Sequence, residues 1–409
     1  MEHHKRILES KKKSAIATDL LIEGREAMTT QLHMNTIRRT VPHSNPERNY
    51  IRAFIDNIAM PKSFDELLFL ANNRDSLFDI ETVLTNRIES WTAPRWAKPG
   101  DVVFFMLSKT SAYTTKHLQK LWTTEEQPYA VIERNAIEPL LVKGRWLADT
   151  YAGKIVAVGR VDSMPFYDCS PDDEGLHWQN KVFADIADEF VLNTPIDISL
   201  FRSFIRISGT GAITPVAGRT FDRLRDLLEQ EGNRLPPYVL NAVSVPDFCA
   251  DIGSDNWMTL SNTYRRSFIL EEEYRSCYLD FLLEDVSDGP VYTECRCNKG
   301  GRKHGFADYV VELDGKFLVV EAKLSVDAES NLPEQLDKYC NVLSVDLGNG
   351  TTCSGEKFYQ QQSIAIDTEA AYLYDNRRKT LTKFLSLDEC ARLEVEGVKA
   401  AFLSALQKA

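Results

Sequence analysis

Residues 305–325 read GFADYVVELDGKFLVVEAKLS. β-Branched and aromatic residues predict two strands here, and the Asp-Gly pair between them predicts a tight hairpin turn. Asp308 lies on the first strand and Glu321 on the second, so the hairpin brings the two carboxylates together. Because side chains alternate along a strand, Lys323 shares a face with Glu321. The stretch therefore predicts three charged side chains at one point of a sheet.

Two neighbouring carboxylates repel each other unless a cation compensates them. A divalent cation bound by carboxylate oxygens would do so, and a lysine beside it can orient or deprotonate an attacking water. The residues FLVV before Glu321 are apolar on both faces, as in a strand covered on both sides within an α/β sandwich. The alternative is a salt bridge between Glu321 and Lys323 at the rim of the sheet, which would contribute little to stability.

The sequence around this hairpin predicts an α/β domain over residues 265–409. We expect a helix over FILEEEYRSCYLDFLLEDV, a strand at PVYTECRC, the hairpin, and a helix after Pro333. A strand at AYLYDN and a C-terminal helix over LDECARLEVEGVKAAFLSALQKA complete the domain.

The segment resembles the core of the PD-(D/E)xK nuclease superfamily, in which an acid starts one strand and E-x-K ends the next. This resemblance implies a restriction-endonuclease-like α/β core in which Asp308 and Glu321 hold Mg²⁺, or Mn²⁺ in its place, and Lys323 positions the water. No proline precedes Asp308, which is a departure from the family's motif. The resemblance covers about one fifth of the chain, roughly residues 265 to 345.

Three further features extend this resemblance. Gln335 and Tyr339 are four residues apart and share a helix face. They resemble the Q-x-x-x-Y pair of the RecB-like branch, which sits beside the active site and helps hold the nucleic acid. The superfamily usually adds an acid from the helix that opens the domain. Glu271 is the first candidate for it, Glu273 the second, and Glu294 on the following strand the third.

The chain of 409 residues is too long for one hydrophobic core, so two or three units are expected. Residues 1–92 predict a helical N-terminal segment, because apolar residues recur at helical spacing in IRAFIDNIAM and FDELLFLANN. Residues 93–240 predict an α+β domain with strands at KPGDVVFFMLSK, GKIVAVGRV and FRSFIRIS and a helix over GRTFDRLRDLLEQ. Residues 241–264 lack periodicity and are the expected linker.

The β-rich segments, together with His177 and Trp178, resemble an EVE or PUA-like domain, a small twisted β-barrel with flanking helices. This resemblance implies a pocket in which aromatic side chains hold a nucleobase, including a modified one. The candidate pocket residues are Trp96, Phe105, Ser108, Tyr113 and Trp178. Aromatic residues also build hydrophobic cores, so both roles stay open for these side chains.

The net charge of −12 argues against a protein that coats nucleic acid non-specifically, because neutralising phosphates requires Lys and Arg. A nucleic-acid site would therefore be a local basic patch, and one segment offers it, unless that segment is a solvated loop. The candidate patch comprises Arg296, Lys299, Arg302, Lys303 and His304.

The eight cysteines are dispersed and predict reduced thiols. No apolar run approaches the roughly 20 residues that cross a bilayer, and the N-terminus lacks the apolar stretch of a signal peptide. We therefore expect a cytoplasmic protein without membrane contact.

Together the two resemblances predict a metal-dependent DNA endonuclease of the restriction or phage-defence type, whose PUA-like domain recognises DNA with or without a modified base. Cleavage of a duplex favours a homodimer with one active site per strand. Two alternatives stay open. One is a nuclease that acts on RNA or single-stranded DNA, or that a nucleotide ligand activates, and the other is a non-catalytic nucleic-acid-binding protein.

Overall fold

The computed structural model describes residues 38–40, 48–72, 77–168, 181–207, 209, 212–244, 266, 268–299, 302–327, 331–340, 344–347, 352–354, 357–359, 361–390 and 392–408. Contacts between residues divide the chain into two compact units. One comprises Met1–Arg39 and Tyr167–Lys181, and the other comprises Thr40–Phe166 and Val182–Ala409. Every contact discussed below lies within the second unit.

Strands and helices are numbered in chain order over the described residues. The strands are β1 (Arg38–Thr40), β2 (Ala53–Ile58), β3 (Ser90–Thr92), β4 (Val102–Leu107), β5 (Lys154–Val161), β6 (Phe166–Asp168), β7 (Val182–Asp197), β8 (Ile213–Val216), β9 (Tyr292–Lys299), β10 (Arg302–Leu313), β11 (Lys316–Ala322), β12 (Ser344–Asp346), β13 (Thr352–Ser354), β14 (Gln362–Ile366), β15 (Ala370–Asp375) and β16 (Thr380–Ser386). The helices are α1 (Phe64–Asn72), α2 (Asp79–Leu84), α3 (Ser111–Thr124), α4 (Val131–Tyr151), α5 (Ile198–Phe201), α6 (Gly218–Gln230), α7 (Pro237–Leu240), α8 (Glu271–Tyr274, continued by a π turn at Arg275–Leu279 and by Asp280–Val286), α9 (Leu332–Cys340), α10 (Leu387–Cys390) and α11 (Val395–Lys408).

The first sheet is mixed and curls into a half-barrel. Within the second unit its strand order is β7-β5-β4-β2-β8, and β3 also pairs with β7. Strands β2 and β4 run parallel, whereas β4 and β5, β5 and β7, and β2 and β8 are antiparallel. Every residue of β2 and β4 is buried. These two strands therefore form the centre of the sheet.

The helical prediction for IRAFIDNIAM is wrong, because residues 53–58 form the central strand β2. Phe54 packs in one hydrophobic cluster and Ile55 in another, so both faces of the strand are covered. A strand buried on both faces loses the alternation that distinguishes it from a buried helix. The helix predicted over FDELLFLANN is confirmed by α1.

The strands predicted at Val102–Leu107 and Lys154–Val161 are confirmed, as is the helix Gly218–Gln230. The strand predicted over FRSFIRIS is wrong. Helix α5 ends at Phe201, and residues 202–207 form a turn and an irregular segment rather than a strand. Phe201 and Ile205 anchor this connection in the core of the half-barrel.

The second sheet is mixed, with the order β13-β12-β9-β10-β11-β14-β15-β16. Strands β9, β10 and β11 are consecutive and antiparallel, and the β10–β11 turn at Asp314 and Gly315 has positive φ angles of 49° and 69°, as an Asp-Gly hairpin turn requires. Strand β14 then pairs parallel to β11. A parallel neighbour needs a crossover connection, and α9 lies in it.

Helices cover both faces of this sheet. Helices α8 and α11 pack in one cluster with Tyr309 and Val311 of β10, whereas α9 packs in another with Val310 and Val319. The strand at AYLYDN is confirmed by β15, and the C-terminal helix is confirmed as α10 and α11 with a break between them. The described chain is thus a mixed α/β protein with a half-barrel sheet and a second mixed sheet. Across the described ranges, no helix is both long and apolar enough to cross a membrane.

Candidate active site

Asp308, Glu321 and Lys323 lie together on β10 and at the end of β11. Lys323 Nζ is 2.9 Å from Glu321 Oε1 and 3.8 Å from Asp308 Oδ2. The side chains are inside the protein, since the three residues are 8%, 1% and 8% exposed in the order of their numbers. The salt bridge between Glu321 and Lys323 that the alternative proposed is therefore present, but it is buried rather than at the rim of the sheet.

The strands around Asp308 depart from regular alternation. Ala307 packs in the cluster of α9, but Tyr309, two residues later, packs in the cluster of α8. At this point the Asp308 carboxylate accepts a hydrogen bond from the backbone N–H of Ala322 at 2.9 Å. The side chain thus replaces a ladder hydrogen bond and is fixed in position by the neighbouring strand.

Helix α9 places Gln335 and Tyr339, the predicted Q-x-x-x-Y pair, beside Glu321, the acid of the E-x-K motif. Gln335 Nε2 donates to Glu321 Oε1, and it lies 3.2 Å from the Tyr339 hydroxyl. The Tyr339 hydroxyl donates to the backbone carbonyl of Phe306 on β10. The structure therefore brings Gln335 and Tyr339 to the site, where they connect β10 to the Glu321 carboxylate.

Three consecutive glutamates at the start of α8 have three different partners. Glu271 Oε2 lies 3.5 Å from Lys323 Nζ, so Glu271 joins the site. Glu272 accepts a hydrogen bond from the Thr220 hydroxyl. Glu273 was the second candidate for the helix acid, and the structure contradicts it: Glu273 is fully buried and receives two hydrogen bonds from Arg52. A helix turns by about 100° per residue, so the three side chains leave the helix in different directions.

Arg275 and Glu294 form a pair beside Asp308. Arg275 Nη1 donates to Glu294 Oε1 at 2.7 Å and lies 3.7 Å from Asp308 Oδ1, and Nη2 donates to the Asp308 carbonyl at 3.3 Å. Sequence analysis proposed Glu294 only as a third acid and missed Arg275. The spacing of four residues from Glu271 to Arg275 was the signal that places both on one helix face.

The backbone is irregular at both members of this pair. Arg275 begins the π turn within α8, and such turns are frequent at functional sites. Glu294 has a φ of 51°, a left-handed conformation that costs a non-glycine residue on the order of 1–3 kcal/mol. Two unfavourable local conformations therefore serve to place Arg275 and Glu294 next to Asp308.

Burial dominates the electrostatics of these acids. Burial, followed by the nearby Asp308 carboxylate, raises the pKa of Glu321 well above its ordinary value and also raises the pKa of Glu271. Burial raises the pKa of Glu294 as well. Burial by itself would lower the pKa of Lys323, but the carboxylates of Asp308 and Glu321 raise it. The site therefore favours a positive charge among its acids.

The donor chemistry is of the kind that Mg²⁺ uses, namely carboxylate oxygens. Glu321 Oε2 is buried and has no hydrogen-bond partner, so this oxygen is not used by the protein itself. Within the described ranges, however, no three His, Cys, Asp or Glu side chains are arranged as a ready-made metal site. Lys323 instead lies within 4 Å of three carboxylates and supplies the compensating positive charge.

An open cleft of about 180 Å³ leads to these residues. One wall belongs to the half-barrel part, which is the part of the chain that carries β2–β8. The other belongs to the second-sheet part, which carries α8 and β9–β16. The lining residues are Ile205, Arg206, Thr214, Pro215, Thr220, Glu271, Glu272, Arg275, Glu294 and Asp308. A ligand in this cleft would contact both parts of the chain.

The predicted basic patch lies on the β9–β10 hairpin. Arg296 is exposed and is paired in register with Phe306, and Lys299 ends β9 opposite Arg302. Lys303 is paired with Asn298, and His304 follows it on β10. The patch is therefore a strand hairpin rather than a solvated loop.

The predicted base-pocket residues do not meet in the cleft. Phe105 is fully buried in the core of the half-barrel, where its ring packs edge-on against Trp91. Trp96 packs against the same core, and Ser108 is 2% exposed. Tyr113 is 74% exposed and stacks on His117. None of these four side chains lines the cleft.

Trp178, the fifth of the predicted base-pocket residues, lies outside the described residues, as do residues 245–264 of the expected linker. The described cysteines are buried free thiols, which agrees with the prediction for them.

The comparisons with known proteins add no relative. No family model, no curated protein and no solved structure matches this chain.

Proposed function

We propose that this protein is a metal-dependent nuclease of the PD-(D/E)xK type, which hydrolyses phosphodiester bonds in nucleic acid. The proposal rests on one observation: Asp308, Glu321 and Lys323 converge, buried, on adjacent antiparallel strands, and Asp308 lines an open cleft. The contact of Gln335 with Glu321 supports the RecB-like branch, because that branch places its Q-x-x-x-Y pair beside the active site.

The side chains have distinct roles in this proposal. Asp308 and Glu321 would hold Mg²⁺ or Mn²⁺, which when bound stabilises negative charge on the phosphate and the leaving oxygen. Lys323 orients the attacking water, and its hydrogen bond of 2.6 Å to the Ala322 carbonyl fixes the ammonium group. Glu271, 3.5 Å from Lys323 Nζ, is a further carboxylate partner of the ammonium group, and Gln335 orients the Glu321 carboxylate.

The proposed substrate is DNA, and the proposed role is that of an endonuclease in restriction or phage defence. The half-barrel part would be the EVE or PUA-like reader, and it is placed to influence the substrate because it supplies one wall of the cleft. RNA or single-stranded DNA as the substrate, activation by a nucleotide, and a homodimer for duplex cleavage belong to the same proposal as its variants.

The test is cleavage of labelled substrates with Mg²⁺ or Mn²⁺. Plasmid DNA with and without modified cytosine, single-stranded DNA and RNA are each incubated with wild type, Asp308→Asn, Lys323→Met and Glu396→Gln. Glu396 is exposed on α11 and serves as the matched control. We expect hydrolysis by wild type and by Glu396→Gln only. Hydrolysis that persists in Asp308→Asn would refute this site.

A second candidate function is nucleic-acid binding without catalysis. It is favoured by Lys323, which lies among the carboxylates, and by the lack of a ready-made metal site within the described residues. This candidate predicts that Asp308→Asn binds nucleic acid as tightly as wild type and that wild type hydrolyses none of the four substrates with either metal.

A further inference from the structure

One arginine in the cleft forms no salt bridge with the described acids, although its charge lowers the pKa of the nearby Glu294. The side chain of Arg206 is exposed and lines the cleft together with Asp308 and Glu294. Its guanidinium carbon lies 5.0 Å from the centre of the Phe306 ring. Arg275, the other arginine of the cleft, is bound by Glu294 and by the Asp308 carbonyl. Arg206 is therefore the arginine whose N–H groups are available to a ligand.

The position of Arg206 is well defined although the side chain is exposed. The preceding residue, Ile205, is 3% exposed in the core of the half-barrel, which anchors the backbone. The face of an aromatic ring attracts a guanidinium without using its five N–H donors. Stacking on Phe306 thus orients Arg206 and leaves its hydrogen-bonding edge to the cleft.

Phe306 connects this arginine to the catalytic residues. Its carbonyl accepts the hydrogen bond of Tyr339, which contacts Gln335 and through it Glu321. Phe306 is also paired in register with the exposed Arg296 of the basic hairpin. Two arginines therefore flank one residue of β10 that lies two positions before Asp308.

We propose that Arg206 binds a phosphate of the substrate strand next to the phosphate that is hydrolysed. This inference rests on the proposed nuclease function and names the part of the substrate that the half-barrel wall recognises. The acids of the cleft from α8, β9 and β10 are paired with Arg275 or Lys323. Arg206 stays outside these ion pairs, so its guanidinium is suited to an anionic ligand, and the phosphodiester backbone is that ligand.

The experiment measures binding without cleavage. Fluorescein-labelled single-stranded and duplex oligonucleotides are titrated in EDTA with protein that carries Asp308→Asn, alone or combined with Arg206→Gln, Arg206→Lys or Arg202→Gln. Arg202 is also exposed, lies on the same segment and does not line the cleft, so it is the matched control. Thermal melting of each variant establishes that it is folded.

We expect Arg206→Gln to weaken binding roughly tenfold, as for one charge-assisted hydrogen bond. The slope of log K against log salt should fall by about 0.7–0.9, the contribution of one phosphate contact. Arg206→Lys should keep the slope and lose part of the affinity, and Arg202→Gln should match its parent. In wild-type protein with Mg²⁺, Arg206→Gln should raise KM and leave kcat unchanged.

Equal affinity and equal salt slope in Arg206→Gln and its parent would overturn the inference, as would the absence of any binding by the parent protein. Failure of the nuclease proposal gives a different result. In that case wild type hydrolyses nothing, whereas the difference in binding between Arg206→Gln and Arg202→Gln remains.

Discussion

Replacement of Arg52 by Met should lower the free energy of unfolding by about 3–5 kcal/mol, the usual cost of leaving one member of a buried ion pair without its partner. Arg52 precedes β2 in the half-barrel part, and Glu273 belongs to α8 in the second-sheet part. The guanidinium donates through Nε and Nη2, the latter at 2.9 Å, and the two residues are 1% and 0% exposed. The variant leaves a buried carboxylate without a counter-charge.

A double-mutant cycle measures the interaction free energy between Arg52 and Glu273 apart from the contacts that each makes with other residues. Urea unfolding is measured for Arg52→Met, for Glu273→Leu and for the double variant. The double variant should lose less stability than either single variant, because two apolar residues of similar volume leave no buried charge. Lys399→Met, which removes a pair in which both side chains are partly exposed, should cost less than about 1 kcal/mol.

Losses that simply add in the double variant would refute the reasoning about this pair. So would a loss below about 1 kcal/mol in Arg52→Met, since that value is typical of an exposed ion pair.

Three further predictions concern the surroundings of the site. Gly218→Ala should destabilise the protein by more than about 2 kcal/mol in urea unfolding, because Gly218 has a φ of 52° and the new Cβ would lie 2.3 Å from a serine oxygen. Gly232 has a φ of 86° but open space around it, so Gly232→Ala should cost only about 1 kcal/mol. Burial raises the pKa of Glu272 to about 7 from an ordinary value of 4.5, so the folded state binds more protons than the unfolded state between these pH values. The free energy of unfolding should therefore decrease by roughly 2 kcal/mol as the pH rises from 5 to 8, and this decrease should be absent in Glu272→Gln. Tyr339→Phe removes the hydroxyl that donates to the Phe306 carbonyl, so it should reduce hydrolysis at least tenfold, with a loss of stability near 1 kcal/mol in thermal melting. Full activity of this variant would contradict the role of Tyr339 in the site.

Much of the second-sheet part could be predicted because its local signals agree with one another. The Asp-Gly turn fixed the hairpin, and the apolar run before Glu321 indicated a strand covered on both faces. The half-barrel part was harder to predict from the sequence. Strand β2 carries apolar residues on both faces, so its spacing fitted a helix equally well, and only its position between β4 and β8 determines the strand.

The sequence predicted those residues of the site that lie on regular strands and helices. Period-two alternation predicted Glu321 and Lys323 on one face, and the resemblance to the RecB-like branch implied Gln335 beside them; the structure brings the three together. Helical spacing from Glu271 indicated the face on which Arg275 lies, but not its partners, because a π turn and a left-handed residue on β9 create its contacts. Such conformations oppose local preference, so a sequence reading based on preference does not find them.

The balance of charge in the site argues for a role other than stability. Five carboxylates surround the two cations Lys323 and Arg275, and they are those of Glu271, Glu272, Glu294, Asp308 and Glu321. Apolar residues of similar volume would usually be at least as stable as such buried charges. With every acid ionised, the excess is three negative charges, which a divalent cation would largely compensate. Burial is the main cause of the raised pKa values of Glu321, Glu271 and Glu294, and the nearby Asp308 carboxylate raises them further. A cluster that is costly to the fold and short of positive charge is consistent with the proposed metal-dependent nuclease, and under that proposal Arg206 at the cleft wall would bind the nucleic acid rather than the metal.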